Sequence, residues 1–131
     1  MQLKLDYSFE NFINKIETFL NSRKNLMVYD DYKDSLLNEA YRFVYSSPND
    51  FLEFIFVDVY KKHSDSIPLA VISIITSNKI EEKSFLTTYG EVTYEAISVR
   101  GIEKTKVSLN INFNGYENLE EAVVYFENSL I

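Results

Sequence analysis

A chain of 131 residues, 46% hydrophobic and 25% charged, has the size and make-up of one globular domain, which argues against disorder over most of its length. Twenty acidic residues against 13 basic ones leave a net charge of −7, which disfavours direct binding of nucleic acid. The chain has no cysteine, which excludes disulfides, thiolate metal sites and thiol chemistry, and its three glycines make a phosphate cradle of backbone amides improbable.

The chain opens Met1-Gln-Leu-Lys-Leu-Asp6. It lacks a basic region followed by an apolar run, so no secretory signal is expected. No apolar stretch reaches the ~20 residues that span a bilayer, so a cytoplasmic protein away from the membrane is expected. Leu3, Leu5 and Tyr7 alternate with polar residues as in a short strand. Ser8 is then placed to cap a helix in which Phe9, Phe12, Ile13, Ile16, Phe19 and Leu20 recur at helical spacing.

Leu26-Met-Val-Tyr29 is a short apolar run of strand type. Asp30-Asp-Tyr-Lys-Asp34 follows and is expected to open a helix, its carboxylates in the first turn and Tyr32, Leu36, Leu37 and Ala40 on one face. From residue 41 two readings compete. In the favoured one, Tyr41, Phe43 and Tyr45 alternate as a strand that pairs with Phe51–Tyr60 across Ser46-Ser-Pro-Asn-Asp50. In the other, Ser47, Pro48 and Asp50 are N-cap, N1 and N3 of a helix. That helix would be apolar on every side but Glu53 from Phe51 to Val57, and so would need burial almost all round.

Phe51–Tyr60 and Leu69–Thr76 are the two most hydrophobic runs, rich in β-branched and aromatic residues, and read as neighbouring buried strands. Ser84–Tyr89, Val92–Val99 and Lys106–Phe113 continue the sheet. In the last of these, Val107, Leu109, Ile111 and Phe113 face one way and Lys106, Ser108, Asn110 and Asn112 the other, the pattern of an antiparallel sheet with one covered face. Asn114-Gly115 ends this strand, and Asn118 caps a final helix with Leu119, Ala122, Val123, Phe126 and Leu130 as its buried stripe. The other side carries Glu117, Glu120, Glu121 and Glu127, with no Lys or Arg from Tyr116 onward. The expectation is a single α+β domain. Its centre is an antiparallel β-meander of about five strands, with N- and C-terminal amphipathic helices packed on one face.

No catalytic, cofactor or metal motif stands out. His63 is the only histidine and sits in a polar turn, His63-Ser-Asp-Ser66, whose neighbours in sequence cannot form a triad. Asp30, Asp31 and Asp34 lack the spacing and central Gly of a calcium loop. Glu53 and Asp58 are separated by an odd number and point to opposite faces of a strand. Two surface features remain. Tyr29, Asp30, Asp31, Tyr32 and Asp34 combine aromatic contact area with acidic groups and are the first candidate partner surface. Glu117, Glu120, Glu121 and Glu127 are the second. Together these features suggest a non-enzymatic, cofactor-free acidic protein that inhibits or neutralises a protein with a basic surface, such as a nuclease, in the manner of a bacterial or phage immunity or anti-defence protein. Two rivals are a dimeric secretion-type chaperone with exposed apolar patches and a small-ligand or enzymatic domain with a cavity between sheet and helices.

Overall fold

The computed structural model describes residues 9–33, 39–48, 53–61 and 69–130. Among these residues, helix α1 (Phe9–Leu20) is followed by seven strands: β1 (Met27–Lys33), β2 (Glu39–Ser46), β3 (Phe54–Lys61), β4 (Leu69–Thr76), β5 (Lys83–Thr87), β6 (Gly90–Val99) and β7 (Ile102–Ile111). Two helices, α2 (Phe113–Glu117) and α3 (Leu119–Ser129), come last. The expected first strand at residues 3–7 and the Ser8 cap lie outside the described residues.

The strands form one seven-stranded sheet in the order β1-β2-β3-β4-β7-β6-β5, with every pair antiparallel. The antiparallel α+β class is as the sequence indicated, but the sheet has seven strands and is not a simple meander. After β4 the chain crosses by residues 77–82 to the far edge and returns inward through β6, so that β7 pairs with β4. Strand composition accounts for this order. β4 is apolar on both faces and occupies the centre, whereas β5 presents mostly exposed residues and occupies an edge. The crossing segment is tied down where it passes β7, the Ile80 amide donating to Thr105 Oγ1 at 3.0 Å.

β2 and β3 pair antiparallel, so the strand reading holds over both and the helix reading does not, with Tyr41↔Val59, Phe43↔Val57 and Tyr45↔Ile55 in register. These pairs face the helices together with Ala70, Ile72, Ile74, Val92, Val107 and Leu109. Phe12, Ile13, Ile16 and Leu20 of α1 and Ala122, Val123 and Phe126 of α3 close the core over that face. The helical stripes read from sequence are therefore core, driven by apolar burial. Two turns depend on glycine. Arg100 (φ 53) and Gly101 (φ 79) are the paired left-handed residues of a two-residue hairpin turn, so β7 begins at Ile102 and not at Lys106. Gly90 (φ 147) lies against β7, where a Cβ would come within 1.9 Å of the Asn110 carbonyl oxygen.

Phe113 departs from the expected covered face. The strand ends at Ile111, and Asn112 caps α2 by accepting a 2.7 Å hydrogen bond from the Gly115 amide. Phe113 is thereby turned to solvent. Asn118 precedes α3 as expected, but its side chain donates back to the Asn114 carbonyl at 2.9 Å and does not cap α3. No helix among the described residues is long and apolar enough to cross a membrane.

Candidate functional site

The first candidate surface falls on β1, at the edge of the sheet among the described residues, and not on the first turn of a helix. The apolar run that starts at Leu26 continues into hydrogen-bonded pairing with β2, and that pairing wins over the dipole preference of the carboxylates. Ala40, expected on the helix's buried stripe, belongs to β2 and is in register with Tyr32. The register shifts between Tyr29↔Arg42 and Tyr32↔Ala40, leaving Asp30 and Asp31 opposite the single Tyr41 in a bulge. Charged residues at a bulge also blunt an edge against unwanted strand pairing. Tyr29 is exposed, and its hydroxyl donates to the Met27 sulfur at 3.8 Å. Asp34 and His63 lie outside the described residues.

The second surface divides. Glu117, Glu120 and Glu121 are exposed and line a surface groove of about 370 Å³ between α1 and α2–α3. Its aromatic lining is Phe12, Phe19 and Tyr116, the Phe12 and Tyr116 rings stacked at 4.3 Å and 21°. Lys15 stands on the α1 wall. Glu121 also accepts from the Tyr89 hydroxyl at 3.4 Å. Partial burial and then this carboxylate raise the Tyr89 phenol above its ordinary range. The groove lies among the helices, whereas the ligand-carrier rival would place its cavity between sheet and helices.

Glu127 does not belong to this acidic face. It is only 3% exposed, and Arg23 Nε and Nη2 donate to its two carboxylate oxygens at 2.8 and 2.9 Å. Tyr45 Oη donates to Oε2 at 2.7 Å. Burial first, then the Glu127 charge and hydrogen bond, hold the Tyr45 phenol far above its ordinary range. The hydrogen bond to Glu127 is the main cause that raises Arg23, against desolvation. The Arg23 guanidinium also stacks 4.8 Å from the Phe19 ring centroid. On sequence alone Glu127 is expected on the acidic side of the helix, opposite the buried stripe. Its partners, 104 and 82 positions away, decided the side.

A further pair was missed. Arg42 Nε and Nη2 donate to Asp58 Oδ1 and Oδ2 at 2.7 and 3.1 Å across the β2–β3 hairpin, on the sheet face away from the helices. A signal existed: a lone acid in an apolar strand needs a partner, and the hairpin register puts Arg42 directly opposite. Glu53 and Asp58 remain apart, Glu53 accepting instead from Thr76 Oγ1 at 3.4 Å. Among the described residues, no three His, Cys, Asp or Glu side chains are grouped to hold a metal ion. No family model, curated protein or solved structure matches the chain.

Proposed function

We propose that the protein is a non-catalytic acidic binding protein of the cytoplasm that inhibits or neutralises a protein with a basic surface, as an immunity or anti-defence protein does. The observation that supports this reading is the groove between α1 and α2–α3. Three exposed carboxylates, Glu117, Glu120 and Glu121, rim a floor that includes the stacked Phe12 and Tyr116. Carboxylates steer a basic partner and pair with its cationic heads, while aromatic rings pack the alkyl stems and guanidinium planes of Lys and Arg. A nuclease, whose basic groove must attract phosphate, is the partner class that such a surface would occupy. Asp30 and Asp31 on the β1 bulge supply a second acidic contact in this proposal, flanked by Tyr29.

The test is titration with an arginine-rich peptide at two salt concentrations. Glu117→Lys/Glu120→Lys/Glu121→Lys should weaken binding at least ~tenfold and flatten its salt dependence. Glu81→Lys/Glu91→Lys/Glu95→Lys changes the net charge equally at exposed sites outside the groove, and should cost no more than ~threefold. Equal losses in both variants would mean diffuse attraction and would defeat the reading.

One observation favours the chaperone reading as well. Met27, Tyr29, Phe54 and Leu69 are large, exposed and on the sheet face away from the helices. A dimer that holds an unfolded client would need such a surface.

A further inference from the structure

We infer that the face of the sheet turned away from α1 and α3 is the interface of a symmetric homodimer, in which two copies pack sheet on sheet. The register defines that face. One row across it runs Tyr29, Arg42, Asp58 and Val71, and the next runs Met27, Val44, Phe56 and Ser73. A third holds Ala40, Tyr60 and Leu69. None of these residues belongs to the core cluster under the helices, nor packs against it from partial burial. Met27, Tyr29, Phe54 and Leu69 are each between 40% and 48% exposed, a concentration of large apolar side chains that marks an interaction surface. Tyr, Phe, Met and Arg are also the residue types enriched at interface centres. Beyond β4 the same face turns polar, with Ser108 and Asn110 of β7 and Glu91 and Thr93 of β6.

Three arguments select a second copy of this chain as the occupant. The first is charge. Two chains of net charge −7 repel, so they can meet only where neither presents free charge. Among described side chains, the apolar rows contain one cation and one anion, Arg42 and Asp58, and each already holds the other in a bidentate pair. The second is readiness for burial. Arg42 also lies 5.2 Å from the Phe56 ring centroid, and Asp58 is 6% exposed, so covering the face leaves no bare ion. A basic partner would find no unpaired carboxylate there. The third is area. The four strands that carry the apolar rows, at ~4.8 Å spacing and about eight residues long, make a face of about 500 Å², so two copies together reach the ~1,000 Å² at which a specific interface begins. A patch that meets its own copy across a two-fold axis is self-complementary, and aligned sandwich packing provides the geometry.

Sedimentation equilibrium across a wide concentration range tests the inference. The wild-type chain should reach twice its 15.3 kDa mass. Added salt should tighten the dimer, because it screens repulsion between acidic copies while the contact itself is apolar. Leu69→Arg should raise the dissociation constant at least ~tenfold. Val124→Arg adds the same charge at an exposed position on α3 and should leave the dimer intact. Circular dichroism checks that each variant folds, and Phe54→Arg, also exposed, substitutes for Leu69→Arg if that variant does not. A single-chain mass at every concentration overturns the dimer, and binding of an unfolded polypeptide by that monomer would give the face to a client. Equal weakening by Leu69→Arg and Val124→Arg overturns it as well.

Discussion

Two bidentate arginine–carboxylate pairs sit on opposite sides of one sheet, and their surroundings differ. Arg23–Glu127 lies at the helix-covered side and joins the end of α1 to α3, with Tyr45 of β2 as a third member. Arg42–Asp58 spans neighbouring strands of one hairpin on the open face. The first pair is drier, its side chains 19% and 4% exposed against 33% and 9% for the second. The same chemistry therefore does two jobs. The first pair clamps elements that are remote in sequence and cannot lose a partner cheaply. The second neutralises a face without tying distant parts together.

Breaking the clamp should have the largest effect. Arg23→Leu leaves the buried Glu127 carboxylate without its bidentate cation, and should cost about 3 kcal/mol. Replacing both, Arg23→Leu with Glu127→Leu, should recover most of that loss, since the penalty comes from the uncompensated charge. Urea denaturation measures both variants. If single and double variants lost the same stability, packing would be the cause and the electrostatic account would be wrong.

A pH titration sharpens the contrast next. The Tyr45 phenol is raised above its ordinary 10.0 in the folded protein. Below pH 10 the folded and unfolded chains both keep this proton, and the stabilisation is fully present. Above pH 10 the unfolded phenol ionises while the folded one does not, so stability falls by about 1.4 kcal/mol per pH unit from this group. Tyr45→Phe should remove that contribution while forfeiting about 1–2 kcal/mol at neutral pH for the lost hydrogen bond to a carboxylate. An unchanged alkaline slope in Tyr45→Phe would show that another group governs it.

Much of the fold was legible because its signals are local. The stripes of α1 and α3 follow helical periodicity. Leu69–Thr76 and Lys106–Ile111 announce themselves by β-branched content and alternation. Strand order was not legible, because consecutive strands read as a meander while the pairing of β7 with β4 rests on which strands can be buried on both faces. Residues 30–33 misled for a related reason: a good helix start lost to a neighbouring strand able to pair with it. Of the candidate site, Tyr29, Glu117, Glu120 and Glu121 were read correctly as exposed. Glu127 was not, because its side was decided by Arg23 from the other end of the chain. The groove itself was hidden, since α1 and α2–α3 meet only in three dimensions.

The smallest effect is expected from a double exchange on the open face, which should diverge from the single variant there. Arg42→Leu strands Asp58 and should cost about 1–3 kcal/mol, less than the clamp because water reaches this pair more readily. Arg42→Leu with Asp58→Val removes both charges and puts apolar, strand-compatible side chains into the rows formed by Tyr29, Phe56 and Val71. The double variant should lie within about 1 kcal/mol of wild type, or above it, because the pair's desolvation cost disappears along with its attraction. Thermal melts of the two variants at one concentration measure the difference. A double variant as weak as the single one would mean that the pair fixes the β2–β3 register, a job that apolar side chains cannot take over. If instead stability survives the exchange, the fold does not require the pair. What remains for it is to leave the apolar rows of β1–β4 free of unpaired charge.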